Sequence, residues 1–388
     1  MSGLRFWLGP WSLAAVLVGC GAAPTAPVVV SVPRRTVKPL DVEPPAQVRV
    51  EESPFELTMS YGPCATIGGK IYCPDKLSPT RSFASSAPTP NLDGVASAAF
   101  GRDFWCAALR DGHVKCGGGN RFGQLGAGLA DDAHEAVLLP ALEGAKRVVS
   151  GPFTSCAILA KGSVACWGKN QFGESGSSTT YLAAARELVE PEVVPGLTDV
   201  EEVAIGWDSA CAATTKGAVH CWGRAKLDEH EKLRGPQHES PATITSLRGA
   251  TSLTANESSF CAIRGEKVVC WGDLMMLGDH DGPRGSLRVF EMPSARRVSL
   301  GANHGCAVTT AGEVYCFGSS YGGALGTKAG PEDYMPHAPE KVPGIPPMLD
   351  VKCGSGISCA VTAGHEVHCW GLIGQGPPSP PTRMRITE

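Results

Sequence analysis

The stretch Cys156-Ala-Ile-Leu-Ala-Lys-Gly-Ser-Val-Ala-Cys166-Trp167-Gly168 has the pattern of a β-hairpin. Two apolar arms flank the loop Ala160-Lys161-Gly162, whose last position in a three-residue hairpin needs a left-handed residue such as glycine. If the two cysteines lie directly opposite each other, their Cα atoms are close enough for a disulfide. The stretch therefore predicts two antiparallel strands joined by a covalent link.

The same pattern occurs seven times in the 388 residues, and successive first cysteines are separated by 42 to 55 residues. Such a period is typical of propellers and other repeat arrays. Because the chain begins with an export signal, described below, an oxidising compartment would preserve these links. The predicted disulfides join Cys64 to Cys73, Cys106 to Cys116, Cys156 to Cys166, Cys211 to Cys221, Cys261 to Cys270, Cys306 to Cys316, and Cys359 to Cys369.

Loop length and loop composition change together across the repeats. Four of the five three-residue loops end in glycine, and the exception, Ala363-Gly364-His365, carries its glycine in the middle. The two-residue loops, Gly68-Gly69 and Gly265-Glu266, both begin with the glycine that a type II′ turn requires. This covariation favours direct cross-strand pairing over zinc binding, which uses Cys-x2-Cys or Cys/His clusters.

Each repeat can be interpreted as four strands: a Val-rich strand that ends at a glycine, the two hairpin strands, and a fourth such as Glu192 to Leu197 or Glu340 to Gly344. An aromatic residue follows the second cysteine in five repeats and points to the face opposite the disulfide. Its recurrence at one position predicts packing between blades rather than a ligand platform. These residues are Trp167, Trp222, Trp271, Phe317 and Trp370.

Gly123-Gln124-Leu125-Gly126 follows the second hairpin, and decayed versions such as Gly173-Glu174-Ser175-Gly176 follow others. With the Trp-Gly dipeptides, these motifs resemble the regulator of chromosome condensation repeat over about residues 47–388. The resemblance implies an all-β, seven-bladed β-propeller, which agrees with the seven hairpins and gives one intra-blade hairpin disulfide per blade. The exported, cysteine-rich form resembles a bacterial lipoprotein branch. We expect a terminal strand, near residues 381–387 or at Val48-Arg49-Val50, to close the ring.

The first 19 residues have the features of a lipoprotein signal peptide: Arg5 precedes an apolar run that is too short to span a bilayer. The run ends in Leu17-Val18-Gly19-Cys20, which resembles the bacterial lipobox, so Cys20 is the predicted lipid attachment site. The alternative is an ordinary signal peptide with an incidental Cys20. The predicted domains are the signal peptide at 1–19, a lipidated cysteine and Pro-rich linker at 20–46, and the propeller at 47–388. By the same resemblance, we expect the protein to be located in the bacterial cell envelope, and specifically at the outer membrane.

The charge and the absence of known motifs limit the classes of function that the sequence supports. The formal net charge of −4 is spread without a basic block, which argues against nucleic acid as a partner. The sequence has no phosphate loop, Gly-x-Ser-x-Gly, His-Glu-x-x-His or calcium loop, so no catalytic residue, metal ligand or cofactor is predicted. We expect a monomeric, non-enzymatic protein-binding or scaffolding propeller that meets the membrane through its N-terminal lipid only. The alternatives are a carbohydrate-binding propeller and an envelope hydrolase or lyase.

Two further predictions concern particular segments. The long loops at residues 177–190, 224–240 and 273–288 are the expected recognition surface, because loops on a rigid ring bind at little ordering cost. The unpaired Cys353 aligns with Ser150, Ile205 and Leu300 at the end of the first strand. That position predicts a half-buried free thiol rather than a reactive or intermolecular cysteine.

Overall fold

The described part of the computed structural model consists of seven antiparallel sheets around a central channel. Six sheets have four strands and the first has three, and every sheet is built from strands that are consecutive in sequence. Each repeat is therefore one blade, as predicted. The structure describes residues 55–59, 63–67, 69–72, 92–128, 133–139, 142, 144–176, 187–224, 238–274, 277, 287–373 and 378–384.

The strands of each blade run in chain order from the channel outward. They are β1 (Phe55–Met59), β2 (Pro63–Ile67) and β3 (Lys70–Tyr72) in blade 1; β4 (Val95–Phe100), β5 (Phe104–Leu109), β6 (Val114–Gly118) and β7 (Ala133–Leu138) in blade 2; β8 (Ala145–Ser150), β9 (Thr154–Leu159), β10 (Val164–Lys169) and β11 (Glu187–Val193) in blade 3; β12 (Val200–Ile205), β13 (Ser209–Thr214), β14 (Val219–Gly223) and β15 (His238–Thr243) in blade 4; β16 (Thr251–Ala255), β17 (Ser259–Arg264), β18 (Lys267–Gly272) and β19 (Arg288–Phe290) in blade 5; β20 (Ala295–Leu300), β21 (His304–Thr309), β22 (Val314–Ser319) and β23 (Pro336–Lys341) in blade 6; and β24 (Asp350–Cys353), β25 (Ile357–Val361), β26 (Val367–Gly371) and β27 (Ser379–Arg383) in blade 7. Short 3-10 turns occur at Thr245–Leu247 and Tyr321–Gly323.

The predicted cross-strand disulfides are present in blades 2 to 7. In blade 3, for example, Cys156 of β9 is the register partner of Cys166 of β10. The Cα atoms of all six pairs are 4.0 to 4.1 Å apart, which is typical of directly opposed residues without mutual backbone hydrogen bonds. In blade 1, Cys64 is disulfide-bonded, and its predicted partner, Cys73, lies outside the described residues.

The hairpin turns confirm one prediction and correct another. The four loop-ending glycines of the three-residue loops have φ between +74° and +87°, as the left-handed position requires. In blade 7, His365 takes this position with φ +63°. The type II′ prediction is wrong, because Gly265 and Glu266 both have positive φ, which defines a type I′ turn. Gly69, at φ +83°, is also incompatible with the second position of a type II′ turn.

Adjacent blades are held together by aromatic residues packed on disulfides. Trp167 of blade 3 shares a core cluster with the disulfide of Cys106 and Cys116 in blade 2. The same relation recurs at the later interfaces, and these aromatic side chains are 0 to 1% exposed. A buried Trp removes roughly 150 to 250 Å² from water, so these contacts are a major part of each blade interface. The recurring residues are Trp222, Trp271, Phe317 and Trp370.

Blade 2 fills the same kind of interface from a different strand. Its second cysteine is followed by Gly117, and Trp105 of β5 lies directly opposite that glycine. A Cβ on Gly117 would lie 2.7 Å from the indole of Trp105, so the absent side chain makes room for the ring. Trp105 packs with Val95, Ala107 and, from blade 1, the partly buried Ile71. In blade 2, the aromatic residue of the interface therefore comes from the second strand, whereas in the later blades it comes from the third.

The fourth strands lie earlier in the sequence than predicted. β11 and β23 end at Val193 and Lys341, whereas the predicted segments continued to Leu197 and Gly344. The reason is that Val194 and Val342 already turn into the core between blades, where they are 1 to 2% exposed. The hydrophobic signal attributed to the strands therefore comes from the connection to the next blade.

The ring is closed by side-chain packing within the described part of the chain. The expected closing segment at 381–387 is wrong, because β27 pairs with β26 inside blade 7. Leu57 of β1 shares a core cluster with Ile357 and Val361 of blade 7. The other candidate, Val48-Arg49-Val50, lies outside the described residues. Each described blade therefore keeps its own strands, and the last one meets the first through apolar contacts.

Candidate functional site

One end of the propeller carries the short turns between the first and second strands of each blade, and also the connections between the third and fourth strands. We call this end the turn face. The hairpin loops next to the disulfides lie at the opposite end, because strand direction alternates along each antiparallel sheet.

The loop at Asn120–Gly126, which follows β6, ties blade 2 to blade 3, and we call it the blade 2 latch. Asn120 Oδ1 accepts a hydrogen bond from the backbone N–H of Leu125 at 3.0 Å, and Gln124 Oε1 accepts one from Phe122 N–H at 2.6 Å. The backbone carbonyl of Gln124 then accepts a 2.7 Å hydrogen bond from Trp167 Nε1 of the next blade. The Gly-Gln-Leu-Gly motif is therefore a structural connection between blades.

The blade 3 latch, at Asn170–Gly176, has the same backbone contacts but different chemistry. Glu174 Oε2 accepts from Phe172 N–H at 2.6 Å, and the Glu174 carbonyl accepts from Trp222 Nε1 at 2.9 Å. The other carboxylate oxygen of Glu174 lies 3.2 Å from Lys169 Nζ, and these side chains are 0% and 8% exposed. The motif is thus not decayed, because glutamate replaces glutamine together with a buried lysine.

Lys169 also replaces a missing backbone donor on the turn face. Neighbouring first turns are joined by backbone hydrogen bonds, as from Arg102 N–H to Pro152 O at 3.1 Å. Pro152 has no N–H with which to continue the series toward blade 4. Instead, Lys169 Nζ donates to the carbonyl oxygen of Trp207 at 3.1 Å. One buried ammonium group therefore joins a latch to the turn of the next blade.

A row of aromatic and arginine side chains crosses the turn face over blades 2 to 4. We call it the aromatic–arginine strip and define it as Arg102, Arg121, Phe122, Phe153 and Trp207. The Phe122 and Phe153 rings meet edge to face with centroids 5.0 Å apart, and the Phe153 and Trp207 centroids are 6.2 Å apart. Trp207 is 39% exposed, whereas the other tryptophans of the described residues are 0 to 3% exposed. The strip combines three blades into one surface.

The cations of the strip lie over its rings. The guanidinium carbon of Arg102 is 5.9 Å from the Phe153 centroid, and that of Arg121 is 5.5 Å from the Phe122 centroid. Both arginines are exposed, and within the described part of the chain neither has an ion-pair partner. A cation–π contact uses none of the guanidinium N–H groups as hydrogen-bond donors, so these groups can still bind an anion. The strip is therefore an apolar surface bordered by unneutralised positive charge.

The central channel is a second candidate site within the described residues. It has a volume of about 960 Å³ and is lined by the first strand of every blade. Its charges alternate in sign around the ring and partly neutralise one another, since Arg147 Nη2 is 3.0 Å from Glu56 Oε1 and Lys352 Nζ is 3.3 Å from Asp350 Oδ2. Because opposite charges offset each other, the channel shows less preference for one ligand class than the strip does.

Cys353 is a buried free thiol, as the sequence predicted in part, with 6% rather than half exposure. Burial raises its pKa to about 12, so the thiol stays protonated and unreactive. Ser358 Oγ lies 3.7 Å from its sulfur and 2.7 Å from Nε2 of the buried His304. Burial lowers the pKa of His304 to about 4. The third group within ligand distance is the sulfur of Cys306, which is already in a disulfide, so these residues form a packed core rather than a metal centre.

Several predicted features lie outside the described residues. They include Cys20 and most of the long loops at 177–190, 224–240 and 273–288. Among the described residues, no helix is long and apolar enough to traverse a bilayer.

The strip was missed at the level of sequence, although a local signal exists. Arg102, Phe153 and Trp207 each stand one or two residues after the glycine that follows a first strand, in Gly101-Arg-Asp, Gly151-Pro-Phe and Gly206-Trp-Asp. Comparing these turn positions between repeats would have brought the three side chains together.

Parts of the chain are similar to a known repeat and to known proteins. The repeat model described as "Regulator of chromosome condensation (RCC1) repeat" matches residues 311–361, and a second model of that description matches 145–174 and 295–323. The chain is 26% identical to human E3 ubiquitin-protein ligase HERC2 over 209 residues, covering 50% of this chain and 4% of that protein. It is 26% identical to Protein pim1 of Schizosaccharomyces pombe over 216 residues, covering 46% of this chain and 39% of that protein. The chain thus corresponds to well under half of either relative.

Solved structures support the same fold. Human WBSCR16 matches with a TM-score of 0.65 at 19% identity, covering 86% of this chain and 93% of that one. Yeast RCC1 (Prp20) bound to Kap60 matches with a TM-score of 0.61 at 20% identity, covering 76% and 75%. Prp20p of Saccharomyces cerevisiae, in a study of its binding to Gsp1p and histones, matches with a TM-score of 0.60 at 19% identity, covering 75% and 76%. The protein is a β-propeller, and its residues 145–174 and 295–361 match the models of the RCC1 repeat.

Proposed function

We propose that the chain is a non-enzymatic protein-binding or scaffolding propeller, displayed as a monomer on the bacterial cell envelope through a lipid on Cys20. The observation that carries the binding role is the aromatic–arginine strip, where Trp207 is 39% exposed and two arginines have no ion-pair partner among the described residues. Aromatic and arginine side chains are enriched at the energetic centres of protein interfaces.

The comparisons add support at the level of the fold. RCC1 (Prp20) was solved bound to Kap60, and Prp20p was studied for binding to Gsp1p and histones. A rigid ring that displays its turns suits such a role, because little conformational entropy is lost when the partner binds. The cross-strand disulfides and the latches of blades 2 and 3 provide that rigidity here.

Site-specific photo-crosslinking tests the binding role. A photoreactive amino acid replaces Trp207 in the full chain, which is expressed in a bacterium with two membranes, and a matched variant carries it at the exposed Glu201 in the first strand of blade 4. We expect a discrete cross-linked protein from position 207 and none from position 201. Equal cross-linking from both positions, or none from position 207, would contradict a binding role for this surface.

Metabolic labelling tests the anchor. The wild-type chain should incorporate an alkyne-modified palmitate and sediment with the outer membrane, because acyl chains hold the protein on the bilayer. Cys20→Ser should lose both properties while the propeller remains folded. Palmitate incorporation by Cys20→Ser, or a soluble wild-type chain, would argue against the lipoprotein assignment. Sedimentation of the detergent-solubilised chain should give the mass of a monomer.

Direct assays test two alternative functions, carbohydrate binding and hydrolase or lyase activity. A glycan array that binds wild-type chain and not Trp207→Ser would favour a carbohydrate-binding propeller. Release of fragments from cell-wall or polysaccharide substrates would favour a hydrolase or lyase. Neither result is expected, because the aromatic rings of the strip pack on one another and the sequence has no recognised catalytic motif.

A further inference from the structure

We infer that the aromatic–arginine strip binds an acidic, extended polypeptide segment in which carboxylate side chains alternate with aliphatic ones. This inference rests on the proposed binding function and names the chemistry of its partner. It follows from the charge of the strip, from the faces its rings leave open, and from the rigidity of its backbone.

Charge selects an anionic partner. Arg102 and Arg121 are exposed and have no ion-pair partner in the described structure. Two of the nearby acidic residues are engaged, since Glu174 pairs with buried Lys169 at 3.2 Å and Asp208 lies 4.0 Å from Arg224, whereas Glu257 beside Trp207 is exposed. A guanidinium stacked on a ring presents its N–H fork sideways, and that fork matches a carboxylate in bidentate geometry. The strip therefore offers two separate positions for carboxylates.

The arrangement of the rings favours side chains over sugars or bases. Phe153 is contacted by Phe122 at 5.0 Å, by Trp207 at 6.2 Å and by the Arg102 guanidinium at 5.9 Å. A pyranose or a nucleobase stacks on an open, flat aromatic face, and Phe122 and Phe153 each have a ring and a guanidinium within 5.0 to 5.9 Å, which leaves them less open face. Because neighbouring rings are inclined at 62° and 50° to each other, they form an uneven apolar surface, on which aliphatic side chains fit. A polypeptide supplies aliphatic groups and carboxylates at alternating positions when it is extended.

The backbone beneath the strip is fixed before any partner arrives. Arg102 N–H donates to Pro152 O at 3.1 Å, and Trp207 N–H donates to Glu257 O at 2.8 Å, so neighbouring turns are joined from blade to blade. Lys169 supplies the remaining connection through its hydrogen bond to Trp207 O. Because the turns are already ordered, a short segment can bind with a small entropic cost.

Fluorescence anisotropy tests the inference with the full chain and a labelled peptide of about 12 residues that alternates Glu and Leu. The strip variant is Arg102→Glu/Arg121→Glu. The matched control is Arg110→Glu/Arg248→Glu, which makes the same charge change at exposed arginines of the opposite end. We expect the strip variant to weaken binding by about tenfold or more, and the control to stay within about twofold of wild type. Trp207→Ser should also weaken binding without any change of charge.

Each result is informative. Loss of affinity in the strip variant, together with weakening as NaCl rises from about 0.05 to about 0.5 M, supports the inference. Equal affinity of the strip variant, or equal binding of a Lys-Leu peptide, would overturn it. Saturable binding of polygalacturonate or single-stranded DNA in place of the peptide would also overturn it and identify the other class of ligand. Photo-cross-linking at Trp207 that persists in Arg102→Glu/Arg121→Glu would leave the binding function standing and refute the acidic partner.

Discussion

The latches of blades 2 and 3 solve the same structural problem with different chemistry. In both, the side chain of the motif's second residue accepts a hydrogen bond from a backbone N–H at 2.6 Å. The backbone carbonyl of the same residue accepts a hydrogen bond from a Trp Nε1 of the next blade. In blade 2 that residue is the neutral Gln124, and in blade 3 it is the ionisable Glu174 with Lys169 beside it. The residue that corresponds to Lys169 in blade 2 is Gly119, which offers no cation.

The difference shows that the backbone geometry of a latch is its essential feature, whereas its polar side chains can be exchanged in compensating pairs. A buried carboxylate is costly unless a partner is close, so glutamate at position 174 requires lysine at position 169. Four predictions test this comparison.

The largest effect is expected where the two latches agree. Trp167→Ala and Trp222→Ala each remove a fully buried indole and its hydrogen bond to a latch carbonyl. Each should lower the free energy of unfolding by about 5 kcal/mol, the upper end for Trp-to-Ala changes, because a cavity and an unpaired carbonyl remain. Chemical denaturation of the oxidised protein measures this. A loss below about 1 kcal/mol in either variant would contradict equal roles for the two latches.

The second prediction concerns the feature that differs. Lys169→Met leaves the Glu174 carboxylate buried without its cation and should cost about 4 kcal/mol at neutral pH. The double variant Lys169→Met/Glu174→Gln recreates the neutral chemistry of blade 2 and should recover most of that loss, apart from the hydrogen bond to Trp207 O. A double-mutant cycle of unfolding free energies checks the coupling. Additive losses would mean that the two residues do not depend on each other.

The third prediction concerns the latch of blade 6, whose carbonyl accepts two hydrogen bonds instead of one. In blade 6 the carbonyl of Ala324 accepts both Trp370 Nε1 at 2.8 Å and Ser358 Oγ at 2.9 Å, and Ser358 contacts His304. Burial lowers the pKa of His304 from 6.5 to about 4, so between these values the unfolded chain binds a proton that the folded chain does not.

The contribution of His304 to stability is therefore complete above pH 6.5 and is lost as the pH falls toward 4. The loss amounts to about 3 kcal/mol. His304→Gln, which keeps an N–H donor, should remove this part of the acid sensitivity when unfolding is compared at pH 7 and pH 4.5. An unchanged pH dependence would show that His304 is not the responsible group.

The smallest effect is expected from the glycine that ends the blade 2 latch. Gly126 has φ +66°, and a Cβ there would lie 2.7 Å from Cδ1 of Trp167. Gly126→Ala should cost about 2 kcal/mol through backbone strain and displacement of the indole. Gly196→Ala is the control, because its φ is +78° but nothing lies within 4 Å of the added atom, so only the backbone strain of about 1 kcal/mol remains. Equal losses in thermal unfolding would exclude a steric role for the indole.

The sequence by itself determined the features that depend on neighbours in the chain. Two cysteines nine or ten residues apart around a glycine specify a hairpin and its disulfide, because both strands and the turn lie within one short segment. Repetition of that segment predicted the blades, and the recurring residue after the second cysteine predicted the packing of Trp167 and its equivalents.

Contacts between residues one repeat apart became visible in the folded ring. The strip joins Arg102, Phe153 and Trp207, which are about 50 residues apart in sequence and touch only because blades stand side by side. The sequence also did not predict three other contacts. These are the packing of Trp105 between blades 1 and 2, the closure of the ring at Leu57, and the pairing of Lys169 with Glu174. Hairpin patterns record contacts within a blade, whereas contacts between blades depend on how neighbouring surfaces fit together, and no local pattern encodes that fit.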